Sequence, residues 1–341
     1  MWHENDGNRF SCELLCCKKQ EGAPAPPSSP DERGRNTWHK DQAMARQDEN
    51  KGEERVVTTI ETRSEHVCHG GRVGFYTHQS NVLGLEARFA VFVPPGADTA
   101  NPVPVVYVLA GLTCTEETFF IKADALAEAA RLGVALVATD TSPRGAGVEG
   151  EDTDWDFGTG AGFYLDATQE PWRKHYRMGH YICEELPRLV EAHFPLDGAR
   201  RGITGHSMGG HGALVHGLRA PQFWKSVSAF APIVHPAEVP WGEKAFTNYL
   251  GPDRATWRTY DAVCLLEDGH THPSTLLVDQ GKADQFLERE LQPWHLATAA
   301  QTAGQALTLR EHDGYDHSYW FVQSFAADHI RYHAAVLKAV R

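Results

Sequence analysis

Ser207 lies in the sequence GHSMGGHG, residues 205–212, which matches the pattern G-x-S-x-G. A short predicted strand, residues 202–204, precedes it, and a helical stretch begins near Gly209. Between a strand and a helix, this pattern forms a tight turn that lifts the serine hydroxyl above the sheet, and the flanking residues must be small. We therefore predict that Ser207 is the nucleophile of a serine hydrolase.

A serine hydroxyl is a weak nucleophile, so the chain should also supply a histidine as general base and an acid that orients it. In hydrolases with this turn, the acid and then the histidine follow the serine along the chain. The sequence GYDHSYWF, residues 314–321, comes after the last predicted strand. Its His317 is the predicted base, and His312 and His329 are the nearest alternatives.

Two aspartates compete for the role of the acid. The sequence DQGKADQF, residues 279–286, follows a predicted strand and contains Asp279 and Asp284. Asp279 ends the strand, whereas Asp284 begins a helical stretch, where it could equally serve as an N-cap. Their spacing alone does not choose between them.

The tetrahedral intermediate of acyl transfer carries a negative oxygen, which two backbone N–H groups must bind. One donor comes from the residue after the nucleophile, here Met208, and the other from a loop after an early strand. The sequence VPVVYVLAGLTC, residues 103–114, ends in such a loop, and its small residues make Leu112 the predicted second donor. Cys114 follows in the same loop, and we predict a thiol near the site that takes no part in the chemistry.

The order of apolar runs and helical patterns predicts the scaffold that carries these residues. The two kinds of segment alternate, which is typical of an α/β protein with a mostly parallel central sheet and helices on both faces. The predicted strands cover residues 87–93, 103–109, 134–139, 202–204, 227–231, 275–278 and 306–310. The predicted helices cover residues 121–132, 176–193, 209–219, 285–302 and 319–340.

The composition divides the chain unequally. Only seven of the first 55 residues are Val, Ile, Leu, Met, Phe, Trp or Tyr, and the stretch is rich in proline, serine and charged residues. Such a segment cannot bury enough apolar surface to offset the entropy of ordering it. The sequence therefore predicts a disordered N-terminal extension, residues 1–55, ahead of a single catalytic domain, residues 56–341.

Charge, hydropathy and cysteine content restrict the class of protein. The net charge of −13 argues against a nucleic-acid binder, because such a protein needs a cationic surface. No stretch approaches the roughly 20 apolar residues of a membrane-spanning helix, so no membrane partner is expected. The seven cysteines are irregularly spaced, which favours a reducing compartment, and the cytoplasm is the expected location.

The glycines of GTGAG, residues 158–162, alternate as in a dinucleotide-binding loop. They follow the polar sequence EGEDTDWDF and not an apolar strand, so the context that this motif requires is absent. We expect these glycines to let a loop pack closely against the active-site face.

Long stretches around the site residues resemble the S-formylglutathione hydrolases, also called esterase D, a family of serine thioesterases. The resemblance covers about 280 residues, from near Val56 to the C-terminus. It is carried by GHSMGGHGAL, DQGKADQF and GYDHSYWF, and by GLTCTEETF (111–119), DTSPRG (140–145), EDTDWDFGTGAGFYLDAT (151–168), VSAFAPI (227–233) and PWGEKAF (240–246).

The resemblance implies an α/β-hydrolase fold and the hydrolysis of a small-molecule substrate, S-formylglutathione, to formate and glutathione through a formyl-serine intermediate. It favours Asp284 over Asp279 as the acid and agrees with the other predicted site residues. It implies neither a metal nor an organic cofactor, and it implies a homodimer. Two other functions are compatible with these residues: a broad carboxylesterase for short acyl esters, and a non-enzymatic binding module.

Overall fold

The computed structural model of the protein describes residues 59–340. The predicted N-terminal extension, residues 1–55, and the boundary at residue 56 lie outside this range and stay predictions. Within the range, no helix is both long and apolar enough to cross a membrane.

A nine-stranded sheet forms the centre of the part of the chain that the structure describes. Its strands are β1 (Ile60–Cys68), β2 (Gly71–Gln79), β3 (Glu86–Val93), β4 (Val103–Leu109), β5 (Ala135–Thr139), β6 (Leu196–His206), β7 (Ser226–Phe230), β8 (Leu276–Gly281) and β9 (Leu307–His312). Their order across the sheet is β1-β2-β3-β5-β4-β6-β7-β8-β9. The pairs β1–β2, β2–β3 and β3–β5 are antiparallel, and all the others are parallel. The predicted mostly parallel sheet is confirmed.

The central strands form where the sequence is continuously apolar. β4 has the sequence VPVVYVL and β5 the sequence ALVAT, and nearly all of their residues are buried. When helices cover both faces of a parallel strand, neither face meets solvent. The side chains on both faces are then apolar, and the strand reads as a continuous apolar run. The predicted strands 103–109 and 134–139 agree with the observed bounds to within one residue.

Two strands at one edge of the sheet, β1 and β2, are absent from the sequence prediction. β1 has the sequence IETRSEHVC, and most of its side chains are exposed. β2 buries the polar residues Thr77 and His78. Because neither strand alternates cleanly between apolar and polar residues, the period of two that marks a half-buried strand is missing from the sequence.

Helices cover both faces of the sheet. The principal ones are α1 (Thr118–Lys122), α2 (Leu126–Leu132), α3 (Leu186–His193), α4 (Met208–Arg219), α5 (Pro240–Leu250), α6 (Arg254–Trp257), α7 (Ala262–Glu267), α8 (Pro293–Ala303) and α9 (Tyr319–Ala339). On β7, Ser226 and Ser228 face α9, where their hydroxyls lie 2.7 and 2.8 Å from the two ring nitrogens of His333. Val227 between them faces α4, where it leaves no room for a side chain at Gly217. Since alternate strand residues point to opposite faces, α4 and α9 lie on opposite sides of the sheet.

Left-handed residues divide two of the predicted helices. The predicted helix 121–132 is split into α1 and α2 around Asp124, whose φ is +51°. α2 then ends at Gly133 in the left-handed conformation, as expected for a residue without a Cβ atom. The predicted helix 285–302 is broken at Gln292, whose φ is +46°, immediately before α8.

The predicted helix 176–193 contains one π-helical turn, and α3 begins after this turn. Pro187 lies in the first turn of α3. Residues 178–193 are helical without a break, so Pro187 stands inside a longer helix, directly after the π-helical turn.

Three helices between β7 and β8, namely α5, α6 and α7, are also absent from the prediction. Their start signals are present in the sequence: Pro240 is the first residue of α5, and Asp253 and Asp261 cap α6 and α7 by accepting backbone hydrogen bonds. α6 and α7 are only four and six residues long. Helices this short do not establish a period of 3.6 residues in the sequence.

Candidate active site

Ser207 occupies a sharp turn between β6 and α4. Its φ and ψ are 58° and −119°, a conformation that residues other than glycine rarely adopt. The turn closes because Gly205 and Gly209 have no side chains: a Cβ atom on Gly205 would collide with the Gly209 carbonyl, and one on Gly209 would collide with the Leu109 carbonyl. The local sequence therefore supplies a small residue wherever the backbone crosses itself, as the G-x-S-x-G pattern requires.

Ser207, His317 and Asp284 form one hydrogen-bonded line. The Ser207 Oγ atom lies 2.9 Å from His317 Nε2, and His317 Nδ1 lies 2.6 Å from Asp284 Oδ2. With the ring proton on Nδ1, His317 donates to the carboxylate and accepts the hydroxyl proton at Nε2. This arrangement can deprotonate the serine and stabilise the resulting imidazolium. The three side chains come from the turn after β6, the loop after β9 and the loop after β8.

Asp284 is held firmly in its loop. Its side chain is fully buried, and it accepts hydrogen bonds from the Phe286 N–H at 2.8 Å and from Gln280 Nε2 at 3.3 Å. The loop that carries His317 passes directly over Gly281, where a Cβ atom would collide with the Tyr315 carbonyl. Close packing of these two loops brings the carboxylate to the imidazole.

The alternative acid and bases form a separate cluster around Asp279. The buried Asp279 accepts two hydrogen bonds of 2.5 Å from Arg310 and one of 3.2 Å from His329, and His312 Nε2 lies 3.5 Å away. Burial alone would raise the pKa of Asp279, but the hydrogen bonds from His329 and Arg310 outweigh it and lower the pKa to about 2. Asp279, His312 and His329 therefore hold β8, β9 and α9 together and do not join the line that contains Ser207.

The loop after β4 lies against Ser207. A Cβ atom on Gly111 would stand only 3.2 Å from the Cβ atom of Ser207. No backbone acceptor for the next N–H, that of Leu112, is found within residues 59–340. Met208 begins α4, and the first N–H groups of a helix have no intrahelical acceptor. Both predicted donors therefore stand beside Ser207 with N–H groups that a substrate oxygen could use.

The predicted packing role of GTGAG agrees with the structure. Gly160 has φ of +82°, and its carbonyl accepts the Thr113 N–H at 2.9 Å. A Cβ atom on Gly160 would lie 3.2 Å from the Cα atom of Thr113. The glycine loop thus supports the strand-to-helix loop that carries Leu112.

Aromatic rings around His317 are absent from the sequence prediction. The ring of His206 lies 4.7 Å from that of His317, and Phe286 contacts His317 edge-on at 5.0 Å, with Trp241 4.7 Å behind it. Burial, and then the charge that His317 can carry, hold the pKa of His206 well below its usual value. A neutral His206 does not repel His317 when that ring takes up a proton. The only feature of the sequence that indicates a place for His206 in the site is its position next to Ser207.

Cys114 is half-buried in the loop after β4, and its surroundings favour the protonated thiol. Burial raises the pKa of Cys114, and the contacts with Thr118 and Lys122 only partly oppose this effect. Its backbone carbonyl accepts hydrogen bonds from Thr141 at 2.7 Å and from Arg144 at 3.1 Å. Because the thiolate is the reactive form, this thiol should be a poor nucleophile at neutral pH.

We expect Cys114→Ser to keep most of the kcat/KM of the wild type, and to resist N-ethylmaleimide. In the wild type, the alkylated thiol should block the neighbouring site by its bulk, and inactivation should be faster at pH 9 than at pH 7 because the thiolate fraction rises with pH. Residual activity after timed incubation measures both effects. Cys68→Ser, which changes a half-buried thiol on β1, is the matched control and should stay sensitive. A loss in Cys114→Ser as large as that in Ser207→Ala would contradict a serine mechanism.

One group of possible metal ligands, His235, Asp261 and Cys264, is found in residues 59–340. Its polar atoms already serve the fold: His235 Nδ1 donates to Asp261 at 2.8 Å, and the same carboxylate accepts the N–H groups of Ala237 and Cys264. These bonds fasten the loop after β7 to the start of α7. The group therefore has a structural explanation without an ion.

Known proteins of the same fold share most of this chain. The Esterase family model matches residues 80–332. The S-formylglutathione hydrolase of Paracoccus denitrificans is 52% identical to the chain, and the match covers 82% of this chain and 99% of that protein. The S-formylglutathione hydrolase of Rattus norvegicus is 47% identical, and the match covers 81% of this chain and 98% of that protein. The solved structure of an S-formylglutathione hydrolase from Agrobacterium tumefaciens is 50% identical in sequence and has a TM-score of 0.79. The match covers 81% of this chain and 99% of the solved chain. The chain belongs to the Esterase family and, within it, to the S-formylglutathione hydrolases.

Proposed function

We propose that the protein hydrolyses S-formylglutathione to formate and glutathione, with Ser207 as the nucleophile, His317 as the base and Asp284 as the orienting acid. The observation that carries the proposal is the hydrogen-bonded line Ser207–His317–Asp284, in a chain about half identical to S-formylglutathione hydrolases along most of its length.

In the first half-reaction, the Ser207 oxygen attacks the carbonyl carbon of the thioester and its proton passes to His317 Nε2. The N–H groups of Leu112 and Met208 bind the oxygen that becomes negative. The carbon–sulfur bond then breaks, and the sulfur takes the proton from His317 as glutathione leaves. A thiol, with a pKa near 8.5, leaves more easily than an amine, so this proton transfer is not demanding.

In the second half-reaction, water enters the position that glutathione has vacated. His317 takes a proton from the water as its oxygen attacks the formyl carbon, and the bond to the Ser207 oxygen breaks. The proton passes from His317 to the Ser207 oxygen, and formic acid leaves and ionises to formate in solution. Each half-reaction therefore begins and ends with a neutral His317, and the charged ring exists only while Asp284 can stabilise it.

The low exposure of the proposed nucleophile and base supports a small acyl group. Ser207 is 3% exposed, and the side chain of His317 is 12% exposed. The formyl group is the smallest acyl group, so it suits a nucleophile with so little exposed surface.

Steady-state kinetics of the full chain on S-formylglutathione and on p-nitrophenyl acetate tests the proposal. We expect kcat/KM for S-formylglutathione to exceed that for the ester by at least about 10²-fold, because only the thioester brings glutathione as a binding group. Equal or greater values for the ester would instead support a broad carboxylesterase, and no turnover of either would support a binding module.

We further propose a cytoplasmic homodimer. All four cysteines that the structure describes are free thiols, which suits a reducing compartment. The dimer rests on the family resemblance alone, and light scattering on the purified full chain tests it.

A further inference from the structure

A cavity of about 120 Å³ opens beside the catalytic loops. It lies where the end of β5 meets the beginning of β3. Roughly eight water-sized groups fit in it, at about 10–15 Å³ each. Its polar wall includes Glu86, Arg88, Thr139, Asp140, Arg144 and Tyr181.

The cavity lies at the same edge of the sheet as the nucleophile. Thr139 is the last residue of β5, and Ser207 directly follows β6. β5 and β6 are separated by β4 alone, so two strand spacings, about 10 Å in total, separate their ends. The loop between them connects the two places, because Gly111 packs against Ser207 and the Cys114 carbonyl accepts a hydrogen bond from Arg144.

The charges on the wall are balanced. Arg144 binds Asp140 at 2.6 Å, and Arg88 stands 3.8 Å from Glu86. The second pair is about half exposed, and its separation is longer than a hydrogen bond. Arg88 and Glu86 can therefore each bind a further group of opposite charge, one anionic and one cationic.

One end of glutathione carries both an anionic and a cationic group. Its glycine end is a lone carboxylate, whereas its γ-glutamyl end is an α-amino acid with a carboxylate and an ammonium on one carbon. A wall with paired charges matches a zwitterion and would not attract a lone anion. Seven bonds separate the cysteine sulfur from the α-carbon of the γ-glutamyl residue, and an extended chain of this length spans about 9 Å at roughly 1.25 Å per bond, which suits the separation between Ser207 and the cavity.

We propose that this cavity binds the γ-glutamyl end of the substrate, with its α-carboxylate on Arg88 and its α-ammonium on Glu86. The assignment rests on the proposed function, because it takes glutathione as the leaving group. It makes Arg88 and Glu86 specificity-determining residues that lie away from the reacting atoms.

The test compares S-formylglutathione with S-formyl-N-acetylcysteinylglycine, in which an acetyl group replaces the γ-glutamyl group and keeps the cysteine nitrogen as an amide. We expect the wild type to show at least a tenfold higher kcat/KM for S-formylglutathione. In Arg88→Ala the KM for S-formylglutathione should rise about tenfold with kcat nearly constant, and the preference between the two thioesters should fall close to one. Glu86→Gln should reduce the preference in the same direction.

Arg72→Ala is the matched control. Arg72 forms a pair with Glu65 at 3.7 Å on the neighbouring strand, with exposure similar to that of Arg88 but outside the cavity. This variant should keep the wild-type preference, and thermal unfolding checks that all variants are folded. A wild type that does not discriminate, or an Arg88→Ala variant that keeps the preference shown by Arg72→Ala, would overturn the subsite while leaving the proposed function intact. No turnover of either thioester by the wild type would overturn both.

Discussion

Ser207→Ala is expected to lower kcat on S-formylglutathione by at least about 10³-fold without loss of folding. The alanine leaves the turn, the N–H groups of Leu112 and Met208 and the His317–Asp284 bond in place, so only the attacking oxygen is lost. His317→Ala should have an effect of similar size, because the hydroxyl then has no base. Steady-state kinetics and thermal unfolding, measured on the same preparations, separate the loss of activity from any change in stability.

The double variant gives a sharper result than either single one. Residues that act as one unit are not additive, so Ser207→Ala combined with His317→Ala should be hardly slower than Ser207→Ala alone. Ser324→Ala, on the exposed side of α9, is the control and should match the wild type. If Ser207→Ala kept a tenth or more of the wild-type kcat, another group would have to be the nucleophile.

Asp284→Asn and Asp279→Asn should have opposite effects. Asp284→Asn should lower kcat by about 10³- to 10⁴-fold, because an amide can neither fix the required His317 tautomer nor stabilise its charged form. Asp279→Asn should leave kcat nearly unchanged but destabilise the fold by about 3 kcal/mol, because Arg310 and His329 lose a buried carboxylate. Urea unfolding and steady-state kinetics on both variants give the comparison. A crippled Asp279→Asn together with a mild Asp284→Asn would reverse the assignment of the acid.

The stability difference between the wild type and Asp279→Asn should also depend on pH. The folded protein holds the pKa of Asp279 at about 2, below its ordinary value of 3.8. A lowered pKa in the folded state stabilises the protein above the unfolded value, and this contribution disappears as the pH falls through the folded value. The difference between the two proteins should therefore be constant above about pH 5 and shrink between pH 4 and pH 2.

The sequence is most informative where chemistry and burial each impose a pattern. Continuous apolar runs predict β4 and β5 because those strands have no solvent side, and glycines around Ser207 predict the turn because only small residues fit there. The strands β1 and β2 escape prediction because edge position and buried polar groups remove the alternation. The sequence also does not decide between Asp279 and Asp284. β8 continues past Asp279, and the side chain of Asp279 points toward α9. No local pattern in the sequence shows how far a strand extends.

Other parts of the site depend on contacts between distant segments. The rings of Phe286 and Trp241 meet beside His317 although they are 45 residues apart in sequence. The cavity likewise combines residues of β3, the end of β5 and the π-helical turn before α3. Such contacts depend on how whole helices and strands pack together, so the local periodicity of the sequence does not predict them.

The backbone of Ser207 has a consequence for protein engineering and for evolution. A serine with φ of +58° is strained in a way that glycine is not, and relief of such strain is worth roughly 1 kcal/mol or more. A library selected for heat resistance alone would therefore favour Ser207→Gly and discard the hydroxyl that the turn presents. If serine is retained at this position, selection for turnover has outweighed the stability that glycine would add by relieving the backbone strain.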